Sequence, residues 1–252
     1  MEYFKVIDPQ GHNGLVYQEG LNVDPIPFNP SGSCAKGGIY FTDAGHIFEF
    51  YEFGTQVYEV EPVGEIYQDP EGKKWKAPAV KLKYLGGIFD LDVVEYLIEQ
   101  GANIHVDDYV FRWAAAIGER FDLEVVKYLV EQGVDIHTEH DYVFRLAAAQ
   151  GRLEVVKYLV EQGADIHAEH DCALQWATTN GHIDVIKYLV EHGADIHVWD
   201  DWTLLWAAKQ GHLRVVKYLV EQGADITYVD YALRWAEQNR HTAVVEYLKS
   251  IE

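Results

Sequence analysis

Histidine is the residue type best placed to do chemistry in this 252-residue chain, and it recurs with a period. His105, His137, His167 and His197 end four near-identical segments, and His140 and His170 follow two of them by three residues. A metal site needs several ligand atoms within roughly 2.0–2.1 Å of one ion. Helical segments pack about 8–10 Å apart, so successive rungs cannot share a metal. The pair His137/His140 has no third ligand of recognisable spacing. These histidines read as a ladder of hydrogen-bonding groups that satisfy loop backbone, with no metal, no cofactor and no catalytic residue expected.

Tryptophan is the second constellation. Trp113, Trp176, Trp206 and Trp235 share one column with apolar positions at helical spacing and are expected in the core. Trp202 occupies the position of Tyr109, Tyr142, Cys172 and Tyr231, which is expected to be half-buried. Trp199 stands in a loop where its counterparts are Glu139 and Glu169. An aromatic among charged counterparts is a candidate binding anchor; packing on the neighbouring loop is the alternative.

A third set lies near the N-terminus: His12-Asn13-Gly14, Gly37-Gly38-Ile39-Tyr40-Phe41 and Val57-Tyr58-Glu59-Val60-Glu61. The Gly-Ile-Tyr-Phe run is similar to a segment of ADP-ribosyltransferases of the poly(ADP-ribose) polymerase type. That resemblance implies that His12 and Tyr40 bind NAD and that a later Glu orients a ribose hydroxyl. Asn13 interrupts the His-Gly pair, and no Glu falls clearly on the third position. The same run is also a good buried strand.

The elements that must position these residues are set by a repeat. Leu153–His167, LEVVKYLVEQGADIH, recurs at Leu91–His105, Leu123–His137, Ile183–His197 and Leu213–Thr227, and TAVVEYLKSIE is a shorter sixth copy. Gly133, Gly163, Gly193 and Gly223 stand 30 residues apart. A fixed period of this size means stacked supersecondary units. Each copy has an apolar stripe at helical spacing and a glycine where a left-handed residue ends the helix. A first helix precedes every copy except that at Leu91, and its Asp (Asp108, Asp141, Asp171, Asp201, Asp230) is expected to cap it.

GHIDVIKYLVEHGADIH and LAAAQG resemble the second helix and the end of the first helix of the ankyrin repeat, over roughly residues 89–252. The usual Thr-Pro-Leu-His start is replaced by YVFR, CALQ, TLLW or YALR, and the unit has 30 residues instead of 33. Units of this wording resemble the ankyrin proteins of mimivirus-type giant viruses. The resemblance implies a mainly α solenoid of short helix-turn-helix units whose task is to bind a protein, a host factor if the chain is viral.

Composition divides the chain. All seven prolines lie in residues 1–86, which read as a small α+β module. Its expected strands are Tyr3–Ile7, Leu15–Tyr17, Gly38–Phe41, Gln56–Glu61 and Ala79–Leu85, with a short helix over HIFEFYEF. Residues 87–252 are expected to be a half repeat followed by about five repeats. The half repeat has a second helix without a first, so the N-terminal module is expected to cap it.

Formal net charge is −21, and residues 89–252 carry 29 acidic against 13 basic side chains. That balance argues against nucleic acid and anionic membranes as partners. Two cysteines, Cys34 and Cys172, and no apolar run of 18 residues suit a soluble monomer in the cytoplasm, of a host cell if viral. The expected role is a concave acidic surface offered to a protein partner with a basic surface. The residues placed there are Glu139, His140, Gln150, Glu169, His170, Thr179, Asn180, Trp199, Asp200, Lys209, Gln210 and Tyr228. The alternative is an NAD-dependent transferase with the repeats as its substrate receptor.

Overall fold

The computed structural model describes residues 2–11, 15–31, 36–105, 109–116, 123–225, 227 and 229–251, without the side chains of Tyr51, Tyr109, Ala116, Trp199, Asp200 and Asp201. The chain divides into two compact units. One is Met1–Phe111 with Lys127–Val134, the other Arg112–Val126 with Asp135–Glu252.

The first unit is built on a seven-stranded sheet with the order β2-β7-β4-β1-β3-β6-β5. Its strands are β1 (Tyr3–Ile7), β2 (Gly20–Val23), β3 (Ile39–Asp43), β4 (Gln56–Val63), β5 (Tyr67–Gln68), β6 (Trp75–Ala77) and β7 (Ala79–Gly87). Every neighbouring pair is antiparallel, and β1 lies between β3 and β4. Alternation puts Ile7, Ile39, Phe41, Val60, Trp75 and Leu82 into one apolar cluster. A 3-10 helix, Ala44–Phe53, covers HIFEFYEF as expected, and Asp43 Oδ1 starts it by accepting from the His46 N–H at 3.2 Å.

One strand expectation needs correction, and two short strands lie outside the expected set. Leu15–Tyr17 contributes only a single bridge at Leu15, and Val16 is 71% exposed. Asn22 explains the shift: its side chain accepts from the Gln18 N–H and donates to the Gln18 and Gly20 carbonyls, closing a turn before β2. The short strands β5 and β6 escape the hydrophobic pattern because Lys76 interrupts it. That lysine is fully buried, donates to the Ser31 carbonyl at 3.1 Å and lies over the Tyr40 and Tyr67 rings.

Helix α1 (Leu91–Glu99) belongs to this first unit. Its Tyr96 ring meets Phe4 edge-on at 6.2 Å, and its hydroxyl donates to Glu2 at 3.1 Å. A Cβ on Gly86 would fall 2.6 Å from Val93, so the glycine lets the strand end and the helix approach.

Helices α2 (Tyr109–Ala116) and α3 (Leu123–Glu131) follow in the chain. The second unit then has two layers. The first helices, α4 (Thr138–Ala149), α6 (Ala168–Asn180), α8 (Val198–Gln210) and α10 (Val229–Gln238), pack on one another in sequence. The second helices, α5 (Leu153–Glu161), α7 (Ile183–Glu191), α9 (Leu213–Glu221) and α11 (Thr242–Ile251), form the other layer. Val155, Val156 and Leu159, with their counterparts, are buried between layers. The stop glycines behave as read: Gly163 has φ 102°, and the Ala164 N–H donates to the Leu159 carbonyl at 2.9 Å, the bond of a Schellman end.

Candidate functional site

The turns that join successive repeats do not follow the expected capping. Glu139, His140 and Asp141 have φ of 51°, 57° and 57°, and Glu169, His170 and Asp171 repeat the pattern at 52°, 57° and 56°. Three consecutive left-handed residues make one compact turn where the missing residues of a longer unit would have run. Asp141 and Asp171 therefore cannot cap the helix as foreseen. Their buried carboxylates instead meet the His137 and His167 Nδ1 atoms, each at 3.0 Å. Asp171 also accepts from the Asp195 N–H of the following repeat at 3.2 Å.

The first turn has a further brace. The Arg145 guanidinium donates to the Glu139 carbonyl at 2.8 Å and the His140 carbonyl at 3.1 Å. It also lies 5.4 Å from both the Tyr142 and Trp176 rings.

The expected histidine ladder is thus corrected. His137 and His167 are more than half exposed and bond within their own repeat. The histidines after the turn glycines bond across repeats. His212 Nε2 donates to the Thr179 carbonyl and His241 Nε2 to the Lys209 carbonyl, both at 2.9 Å. A carbonyl only accepts, so each Nε2 carries the proton. A Cβ on Gly181 would stand 2.6 Å from His212 Nδ1, so glycine and histidine form one packing unit. His182 bonds to the Ala149 backbone in the same way, and burial pulls its pKa below the ordinary value.

The proposed binding residues fall into two groups. Glu139, His140, Glu169 and His170 come together at the turns, all exposed. Glu139 pairs back to Arg112, and His140 Nδ1 reaches forward to Glu169 at 3.9 Å. A shallow cavity of about 280 Å³ opens here, walled by His140, Asp165, His167, Glu169 and His170. Gln150, Thr179, Asn180, Lys209 and Gln210 lie at the other end of the first helices, roughly 15 Å away at 1.5 Å per residue. Thr179 and Asn180 are turned back onto the Gln175 and Trp176 carbonyls. The side chains of Trp199 and Asp200, and Tyr228 entirely, lie outside the described residues, so the anchor assigned to Trp199 stays an expectation.

What joins the two groups departs from the expected core. The tryptophan column is half-buried rather than core: Trp113, Trp176, Trp206 and Trp235 all keep exposed surface. Trp206 and Trp202 flank Trp235 at 6.0 and 6.2 Å, and Lys209 Nζ lies 4.3 Å from the Trp206 ring centre. Trp202 is 46% and Tyr231 55% exposed. A strip of aromatics with cations stacked on them therefore runs along the first-helix layer between the two groups. The signal was available: the column Tyr142, Cys172, Trp202, Tyr231 sits beside that of Trp176, Trp206 and Trp235.

In the first unit, Tyr40 and the glycines Gly37 and Gly38 line a cavity, which Glu59 and Glu61 do not. Those two glutamates pair with Lys83 and Lys81 at 3.1 and 2.8 Å. His12, Asn13 and Cys34 lie outside the described residues.

Residues 111–200 match the family described as ankyrin repeats (3 copies), and residues 204–248 match ankyrin repeats (many copies). Two putative ankyrin repeat proteins of Acanthamoeba polyphaga mimivirus are similar: one 37% identical over 117 residues, the other 32% over 124. These alignments span 42% and 46% of this chain but only 38% and 61% of the relatives. An uncharacterized protein of the same virus is 29% identical over 119 residues, 42% of this chain and 82% of its own. No helix among the described residues is long and apolar enough to cross a membrane. With paired helices at a fixed period, glycine-ended second helices and these matches, the chain belongs to the ankyrin-repeat family.

Proposed function

We propose that the repeat region binds a protein partner along the first-helix layer, with the acidic turns at Glu139 and Glu169 as one rim and the aromatic strip as the floor. Ankyrin repeats are interaction modules, and repetitive solenoid faces serve that purpose. The observation that carries this reading is the strip Trp202, Trp206, Trp235 and Tyr231, because large exposed aromatics are where interfaces find most of their energy. The partner fits best with a basic surface, given the 29 acidic against 13 basic side chains of residues 89–252. In this reading the module is a monomeric cytoplasmic binder, its partner a host factor if the chain is viral, and residues 1–86 are the α+β module that supports the first helix of the repeats at 87–252.

The test is capture from amoebal lysate with the full chain, followed by measured affinity for the captured protein. Trp202→Ala should weaken binding by about 2 kcal/mol, the cost of losing an aromatic anchor. The double reversal Glu139→Lys with Glu169→Lys should slow association and flatten its salt dependence. Binding indifferent to all three substitutions and to salt would remove this face from the function.

A further inference from the structure

The first unit holds a cavity of about 590 Å³ that the partner-binding reading does not use. That volume is in the range of roughly 300–1,000 Å³ typical of small-molecule sites. Its apolar wall includes Leu15, Phe41, Phe50 and Phe53, and Phe53 stands 46% exposed.

The polar groups of the cavity are almost all donors. Lys5, Lys36 and Lys74 line it, with Tyr17 and a single carboxylate, Asp24. Both oxygens of Asp24 are taken by backbone: Oδ1 accepts from the Ile26 N–H and Oδ2 from the Gly38 N–H, each at 2.8 Å. Lys5 Nζ donates to the Tyr40 carbonyl at 2.7 Å and lies 4.8 Å from the Tyr17 ring centre. No carboxylate among the described residues pairs with it. Burial alone lowers its pKa to about 8, and burial with the nearby Asp24 pushes Tyr17 up to about 12. A half-buried ammonium without a counter-ion carries a desolvation cost that an anion would offset. In a chain of net charge −21, this is a local concentration of positive charge.

We propose that this cavity binds a small organic anion, an apolar or aromatic body carrying one carboxylate, sulfonate or phosphate group, with the anionic group at Lys5 and the body against Phe41, Phe50 and Phe53. An inorganic anion would leave those rings uncovered, and a neutral body would leave Lys5 without its counter-ion.

The test uses the full chain and two fluorescent probes of matched shape, anilinonaphthalene sulfonate and the uncharged N-phenylnaphthylamine. The sulfonate should fill one saturable site at least about tenfold more tightly than the neutral probe. Lys5→Met should abolish that preference. Sulfonate binding should also weaken from pH 7 to pH 9 as Lys5 loses its proton. Tyr17 stays neutral there, and Asp24, Lys36, Tyr40, Tyr58 and Lys74 are shared by the variant, so a flat profile in Lys5→Met isolates Lys5. Phe53→Glu, at an exposed position away from β1, should weaken both probes through the lost ring and the sulfonate further through repulsion, so that its preference falls. Should Lys5→Met fail to fold, that second variant decides. Equal affinity for the two probes, no saturation, or a preference that survives in folded variants would overturn the proposal.

Discussion

Arg145 stabilises a turn that its own residues resist. Left-handed backbone costs L-residues roughly 1–2 kcal/mol each, and Glu139, His140 and Asp141 adopt it in succession. Two guanidinium bonds to the turn carbonyls oppose that cost, and hydrogen bonds to charged groups contribute about 1.5–3 kcal/mol. Arg145→Met should therefore lower the unfolding free energy by about 2 kcal/mol, read as a shifted urea midpoint at constant slope. His140→Gly should act in the opposite sense. Glycine tolerates φ 57°, so stability should rise by about 1 kcal/mol. A loss of stability in His140→Gly would mean that the imidazole, 80% exposed, supports the turn in some further way. An Asp before an apolar helical pattern was legible as a helix-start residue, but its buried pairing with histidine depends on a backbone reversal that no local preference of Glu-His-Asp announces. The tryptophan column was legible as one face of a helix; periodicity does not reveal whether a neighbouring layer covers that face.

At the scale of elements, the Gly-His turns tie each repeat to the one before. His182 bonds to the Ala149 backbone while burial holds its pKa below the usual histidine value, with His212 and Arg152 nearby acting in the same direction. The unfolded chain then takes up the proton more readily than the folded one. The stability this gives is complete above the ordinary value near 6.5 and is lost as pH falls through that range. Urea melts at pH 7.5 and pH 5 should show a lower midpoint at pH 5, and His182→Gln should reduce the difference between them. An equal acid loss in the variant would place the proton uptake elsewhere. Helix elements were legible throughout because a 30-residue period states each stripe several times over. The strands were less so: β1 is as read, whereas β2 is displaced by the Asn22 turn and β6 is hidden by its buried Lys76.

At the scale of the whole molecule, the division into a proline-rich α+β region and helical repeats was legible from composition. The cavity around Lys5 was not, because it draws on β1, β3, the 3-10 helix and two loops that only the sheet order brings together. The same order bears on how the repeats begin. Helix α1 is a nine-residue helix, shorter than the ~12–15 residues at which isolated helices become even marginally stable in water. It rests on the sheet through Tyr96 against Phe4, Tyr96 to Glu2, and Val93 against Gly86. A chain starting at Gly86 would keep the helix and lose Glu2, Phe4 and the sheet beneath it. Part of the surface of Val93, Val94 and Leu97, all buried in the full chain, would then meet water, at up to about 1.5–3 kcal/mol for each fully exposed side chain. The residues 86–252 fragment should accordingly self-associate in size-exclusion chromatography with light scattering, and amides of Leu91–Glu99 should lose their protection from hydrogen exchange. A monomeric fragment with those amides as protected as in the full chain would show that α1 needs no sheet, and that residues 1–85 are present for something other than support.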